Sequence, residues 1–427
     1  MSDKLTALRG MPDGLPKQAL RFRQMQSLWQ VIVTQYGYEE IQLPLLEKTA
    51  LFKRAIGEVT DIVEKEMFTL EDRDGESIAL RPEGTAGCVR AGIEHGLLYH
   101  QTQKWWYEGP MFRYERPQKG RYRQFSQWGV EAFGFAGVEA EFEQLLLMQR
   151  FFKALGILDV ITLEINSLGT MEERKAYRQA LTQYWQQHEA DMDGEARKRI
   201  LTNPLRILDS KIPSMQPLIE KAPALSHFWG PATAQSFAQL QAQCQAFALP
   251  VRVNPRLVRG LDYYNGLVYE WTTTSLGAQG TLCAGGRYDT LVEQLGGKPT
   301  PAVGFALGIE RVLLLVESQG LPALNMAPMA YVIAEGEANQ RVALALSERW
   351  RDAFPMLRLM NDVGGGNFKT QFKKAGKSGA PMALIVGDRE RESETISIKW
   401  LRQSEKPQET HPQRDMLGWW EKQIETV

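Results

Sequence analysis

The sequence predicts an α+β domain built on an antiparallel sheet and interrupted by a helical insertion, followed by a smaller α/β domain. Three observations carry this reading. Short strand-like runs between Gly, Pro and charge clusters fill residues 68–134. A polar stretch rich in Gln, Arg and Glu, helical in pattern, occupies about 170–250. Strand and helix patterns alternate cleanly beyond residue 328.

The chain opens on helix, then strand. Met25, Leu28, Trp29, Ile32 and Tyr36 share one helical face, and Gly37 reads as the C-cap. Glu39 to Leu43 alternates polar and apolar residues, a strand that Pro44 ends. Ile78 to Leu80, Trp105 to Tyr107 and Phe125 to Phe133 read as strands. Glu139 to Leu155 reads as a helix, with Phe142, Leu145, Leu146 and Phe152 at helical spacing. Strands resume at Val251 and at Val268 to Trp271, and an apolar helix covers Ile309 to Val316.

Glu317 to Pro328 has no periodicity and contains Gly320, Pro322 and Pro328. Domains are therefore expected at 1–320, with the insertion inside, and at 329–427, joined by a linker at 321–328. In the second domain, Tyr331 to Ile333, Leu357 to Met360 and Met382 to Val386 read as strands. Asn339 to Phe354 and Asn367 to Ala375 read as helices crossing over a largely parallel sheet. The stretch from Ser404 to Trp420 carries no clear pattern.

Composition narrows the function classes. The 427 residues hold 50 Lys and Arg against 51 Asp and Glu, a net charge of −1, with 43% hydrophobic residues. This is the balance of a globular protein, not of a disordered or collagen-like chain. No apolar run is long enough to span a bilayer, so no membrane association is expected, and the first residues do not read as a secretory signal. Cys88, Cys244 and Cys283 lie far apart, which fits a reducing cytoplasm and neither a disulfide framework nor a zinc site. No metal-ligating cluster is read. Near-zero net charge leaves nucleic-acid binding open, provided that any basic surface is local.

Five stretches carry chemistry. In Gly109 to Phe125, a strand leads into a basic loop and a second strand, with Arg113 and Glu115 on one face. A planar cation beside an acceptor can hold a phosphate next to an amino-bearing base, or can form a charged hairpin on a solvated face. Arg81-Pro82-Glu83-Gly84-Thr85 puts Glu83 in a turn, able to meet a ligand amine or to serve as an ordinary turn. Gly304 to Arg311 leads glycines into a helix whose first turn bears Arg311, either for a ligand or as a packed junction with an exposed arginine. Leu257 to Asn265 pairs Tyr263 and Tyr264 behind Arg259-Gly260, as a binding surface or as core tyrosines. Gly285-Gly286-Arg287-Tyr288-Asp289 reads as a glycine turn carrying an exposed Arg-Tyr-Asp.

Taken in order, these stretches resemble the signature of class II aminoacyl-tRNA synthetases. The helix with its Pro44-ended strand resembles motif 1, Phe112-Arg113-x-Glu115 with its loop motif 2, and Gly308-x-Glu310-Arg311 motif 3. Leu257 to Asn265 and Ala284 to Asp289 resemble two peptides peculiar to the histidyl-tRNA synthetase family. The resemblance runs from Arg9-Gly10 to Gly364 to Lys369, nearly the whole chain.

The resemblance implies a class II catalytic domain and a C-terminal anticodon-binding domain in a homodimer. It implies ATP-dependent activation of L-histidine to histidyl-adenylate, release of pyrophosphate, and transfer to the 3′ end of tRNA(His). Mg²⁺ would accompany ATP. Arg113 and Arg259 would be catalytic. Glu83, Thr85, Gln127, Glu131, Arg259, Tyr263, Tyr264 and Tyr288 would bind histidine, with Glu131, Tyr264 and Tyr288 forming the wall against the imidazole. Arg113, Glu115, Arg121, Phe125 and Arg311 would bind ATP. Arg116, Gln118 and Arg123 would meet the acceptor end of tRNA, and Lys369 and Lys373 its anticodon end. No general base is implied, because the attacking carboxylate is already ionised near pH 7. Two other kinds of protein share parts of this pattern. A non-catalytic paralogue that regulates histidine biosynthesis usually lacks the anticodon domain and erodes the Arg259-to-Tyr264 peptide, and both are present here. A tRNA-sensing domain of a stress-responsive kinase would come with kinase motifs, and none is seen.

Overall fold

In the computed structural model, residues 4–57, 60–210, 212–277, 280–320, 327–403 and 405–424 are described. The chain divides into two compact units, Met1–Pro322 and Ala323–Val427. Most of the expected linker, 321–326, lies outside the described residues.

The first unit is organised by an eight-stranded sheet. Its spatial order is Glu39–Glu40, Gln103–Phe112, Gln124–Phe133, Ala302–Gly308, Thr281–Arg287, Leu267–Thr272, Thr162–Ser167 and Val251–Val253. The interior pairs are antiparallel, and only the two edge pairs are parallel. The period of two decides what each face carries. From Gln124–Phe133, Trp128, Val130 and Ala132 enter one core, and from Ala302–Gly308 so do Val303, Phe305 and Leu307. The helices Pro16–Gln35, Glu139–Ala154 and Ile309–Ser318 cover that core, with Trp29 stacked on Trp128.

The opposite face receives Gln127 and Glu131 from one strand, and the small residues Gly304, Ala306 and Gly308 from its neighbour. These small side chains leave room above the sheet. Gly304 stands opposite Glu131, and a Cβ there would come within 1.8 Å of its Oε2. Only glycine lets the Glu131 carboxyl lie across that strand.

The first helix starts at Pro16, well before the apolar stripe, and ends at Gln35, with Tyr36 as its cap and Gly37 the residue after it. Gly37 takes φ +75°, and the Tyr38 N–H donates to Val33 O at 3.1 Å, a Schellman closure. The strand expected over Glu39 to Leu43 is shorter, Glu39–Glu40, and a separate strand Leu46–Lys48 joins a small three-stranded sheet after Pro44. The insertion contains the helices Met171–Gln187, Gly194–Thr202, Gln216–Lys221 and Pro231–Ala246. It is the crossover between the parallel strands Thr162–Ser167 and Val251–Val253, which a short turn cannot join.

The second unit has a five-stranded sheet in the order Leu359–Asn361, Ala330–Ala334, Met382–Val386, Thr395–Trp400, Glu409–Pro412. The first three strands are parallel and the last two antiparallel, so the sheet is mixed rather than largely parallel. The connections into the last two strands are too short for a full crossover. The unpatterned tail forms the edge strand and the helix Met416–Ile424, whose Met416 and Trp420 are fully buried.

Candidate active site

A cavity of about 220 Å³ opens above the central strands. An adjoining cavity of about 810 Å³ shares Arg121, Gly260, Thr281 and Arg311 with it. One wall begins at the turn before the helix Thr85–Glu94. The buried Glu83 carboxylate accepts from the N–H groups of Thr85 at 2.7 Å and Ala86 at 3.0 Å. Burial raises the Glu83 pKa, while those two amides and Arg113 pull it down. The neighbouring Arg81 is buried and donates to Pro110 O at 2.9 Å and Leu43 O at 2.8 Å, tying this turn to the strand Gln103–Phe112 and to the segment before Pro44.

Gln127, Tyr263 and Tyr264 continue this wall. Glu131 and Tyr288 lie behind it rather than on the open surface. Thr85 Oγ1 donates to Glu131 Oε1 at 2.6 Å, and the Tyr288 hydroxyl donates to Glu131 Oε2. The Tyr263 and Tyr288 rings stand 5.6 Å apart. Burial pushes the Glu131 pKa up to about 8, although its hydroxyl donors pull the other way.

The other wall is cationic. Arg113 Nε donates to Pro82 O at 2.9 Å, and its guanidinium lies 5.3 Å from the centre of the Phe125 ring. Arg259 pairs with Glu270, and its guanidinium stands 5.3 Å from the Tyr264 ring centre. Thr281 Oγ1 donates to the second Glu270 oxygen at 3.1 Å, and Arg311 Nη1 donates to Thr281 O at 2.8 Å. One carboxylate and one threonine thereby link the two arginines. Arg121 is ion-paired with Glu115. Glu310 accepts from the Ser126 N–H at 2.7 Å, which fixes the third helix against the strand Gln124–Phe133.

Of the residues expected to bind histidine or ATP, all but Glu131 and Tyr288 therefore line one cavity. Arg116 and Gln118 are exposed on the loop between the two strands, and Arg123 stacks on Tyr114 at 3.6 Å. Lys369 and Lys373 are exposed on the helix Phe368–Lys377, whereas Lys374 turns to Asp362 at 3.0 Å. The glycine turn expected to expose Arg287 is instead a strand end. Arg287 is buried, donating to Glu141 at 2.6 Å and to Phe135 O at 3.0 Å. Gly286 pairs there with Gly304 inside the sheet, which the dipeptide alone does not reveal. Sequence reasoning missed Glu270 and Thr281, because a charged or hydroxyl residue in a strand has no signature without its partner across the sheet.

Residues 10–312 match the family model for histidyl-tRNA synthetase. The chain belongs to the histidyl-tRNA synthetase family. Residues 330–419 match a model for an anticodon binding domain. The apo histidyl-tRNA synthetase of S. aureus is 31% identical, covering 97% of this chain and 99% of that one, with a TM-score of 0.81. A histidyl-tRNA synthetase from Nostoc sp. is 18% identical over 99% of this chain and 100% of its own, with a TM-score of 0.69. An ATP phosphoribosyltransferase regulatory subunit/histidyl-tRNA synthetase from Bacillus halodurans is 21% identical over 90% and 98%, with a TM-score of 0.63. These last two share the fold. As a member of the histidyl-tRNA synthetase family, the chain is a histidine–tRNA ligase that uses ATP as a substrate. No helix among the described residues is long and apolar enough to cross a membrane.

Proposed function

We propose that both steps of histidine–tRNA ligation take place in this cavity, with the two walls dividing the work. The observation that carries this reading is the convergence of Arg113, Arg259 and Arg311 with Glu83, Thr85 and Gln127 on one cavity. Two anions must meet in the first step, so the cations belong where they meet. A histidine carboxylate oxygen attacks the α-phosphorus, the bond to the bridging oxygen breaks, and pyrophosphate leaves. Arg113 grips the α-phosphate and Arg311 the triphosphate tail. Arg259 spans carboxylate and α-phosphate, where charge concentrates in the transition state. Glu115 accepts from the adenine amino group, Phe125 stacks on the base, and Arg121, freed from Glu115, turns to phosphate. In the second step the terminal tRNA hydroxyl attacks the acyl carbon and AMP leaves.

Glu83, Thr85 and Gln127 hold the α-amino group of histidine. Tyr263 and Tyr264 contact the imidazole, backed by Glu131 and Tyr288. An apolar isostere would strand these polar groups, which supports discrimination of roughly 10⁴–10⁵ without editing. No group of three or more His, Cys, Asp or Glu stands ready for a metal among the described residues. Mg²⁺ would accompany ATP as part of the substrate and neutralise triphosphate charge. Arg116, Gln118 and Arg123 meet the acceptor end, and Lys369 and Lys373 the anticodon end. Three free cysteines fit a reducing cytoplasm.

Pyrophosphate exchange into ATP should require L-histidine in the purified protein. Exchange that proceeds equally without histidine would remove this reading. The chain is expected to act as a homodimer through the helix Pro16–Gln35 and the segment that follows it to Leu46, where Val31, Leu45 and Leu46 are exposed. Sedimentation should give twice the chain mass, and a fully active monomer would sink the dimer.

A further inference from the structure

The loop from Leu257 to Asn265 brings Arg259, Tyr263 and Tyr264 to the cavity with no strand or helix to hold it. Its carbonyls therefore have no ladder partners and must find others. Three of them, on alternate residues, are taken by side chains of the helical insertion. Arg206 Nη2 donates to Gly260 O at 3.2 Å. Arg174 Nη1 donates to Asp262 O at 3.2 Å and to Tyr264 O at 2.9 Å. Arg174 Nη2 also lies 3.8 Å from Asp262 Oδ1.

Both donors are well anchored. Arg174 sits in the first turn of Met171–Gln187, next to a complete capping box between Thr170 and Glu173. Glu173 further accepts from the Gly230 N–H at 2.6 Å and from Thr233 Oγ1 at 2.8 Å, which locks this turn to the start of Pro231–Ala246. Arg206 packs so closely on Gly260 that a Cβ there would stand 3.1 Å from its Nη2. An arginine keeps its charge when half-buried, and its bonds to carbonyls are charge-assisted.

We propose that Arg174 and Arg206 are positioning residues for histidine activation, clamping the Gly260–Tyr264 backbone so that Arg259 and Tyr264 stay aimed at the cavity. The helical insertion is then required for the first chemical step, in the absence of any tRNA. The proposal rests on the roles assigned above to Arg259 and Tyr264.

The test uses the full chain in histidine-dependent pyrophosphate exchange without tRNA. Loss of a positioning contact remote from the chemistry can cost up to ~10²-fold. Arg174→Ala should lower kcat about 10- to 100-fold with the ATP KM unchanged, and Arg206→Ala should act in the same direction. Arg174→Lys should recover most of the rate, because an ammonium can still donate to both carbonyls. Lys175→Ala removes an exposed charge one residue on and should leave exchange unaltered. Exchange kept within twofold by both alanine variants overturns the clamp. So does a loss confined to tRNA charging, which would make these arginines RNA contacts. A loss that follows the thermal midpoint and is not rescued by lysine also overturns it. If Arg174→Ala does not fold, Arg206→Ala and Arg174→Lys carry the test. Arg259→Ala run alongside separates the two readings. A silent Arg259→Ala removes the role of the loop, while a dead Arg259→Ala beside a silent Arg174→Ala removes the clamp alone.

Discussion

On the side of the cavity proposed to take histidine, Glu131 is fully buried and receives hydroxyl donors from Thr85 and Tyr288. On the side proposed to take phosphate, Glu270 and Glu115 hold Arg259 and Arg121 by ion pairs. The first network is closed before any ligand arrives. Its members are held by the sheet and by the turn before Thr85–Glu94, and none needs to move far. The second network joins cations suited to phosphate with carboxylates that would repel it. In the function proposed, ATP binding there would exchange carboxylate partners for phosphate oxygens. Polar groups fixed in place before binding discriminate sharply, because a ligand that cannot bond to them desolvates them without return. Exchangeable ion pairs keep the cations in place while leaving them available to charge that develops during reaction.

The largest effect that would break this contrast is expected at Arg259. Arg259→Ala should lower single-turnover adenylate formation by ~10²–10³, since it removes a donor aimed at developing charge. Histidine affinity should change less, because the other wall holds the amino acid. Transfer from preformed histidyl-adenylate to tRNA should be much less affected. Arg259→Lys should not restore the rate fully, as an ammonium lacks the planar fork. Adenylation within a few-fold of the parent protein would end the assignment of the phosphate wall.

A smaller effect should sharpen the other side. Glu131→Gln keeps size but replaces the carboxyl that Thr85 and Tyr288 address. The histidine KM in pyrophosphate exchange should rise about tenfold, the scale of one hydrogen bond, while the ATP KM stays put. An unchanged histidine KM would disconnect Glu131 from amino-acid selection.

The smallest effect is on stability. Burial lifts the Glu131 carboxyl from 4.5 to about 8 in the folded protein. Between those values the folded state keeps a proton that the unfolded chain has released, so this group lowers stability as pH rises. Glutamine cannot titrate. The thermal midpoint of Glu131→Gln relative to the parent should therefore climb by ~3 °C between pH 5 and pH 8. A flat difference would mean that the carboxyl titrates normally in the fold.

Much of this architecture was legible in the chain. Trp29 and Ile32 at helical spacing, Gly37 after them, and the two-residue alternation from Phe125 to Phe133 are local signals, because each depends on neighbours a few residues away. The start of the first helix was not legible, since residues 16–24 carry few apolar side chains and all but the last turns of that stretch face outward. The tail strand Glu409–Pro412 was invisible because an edge strand needs no alternation. The burial of Trp420, on the helix that follows, is decided by a core shared with Leu384, Ile396 and Ile398 of the sheet that the strand completes.

The sequence by itself determined the element types, the order of the motifs and the residue chemistry of the cavity, because backbone periodicity and glycine placement act over short distances. Only the tertiary structure decided which charges meet. Arg287 finds Glu141 at a separation of 146 residues, Glu131 finds Tyr288 at 157, and Arg206 finds Gly260 at 54. A charged residue carries no mark of its partner in the chain. Burial creates the demand for one, and the fold alone chooses which distant group answers it.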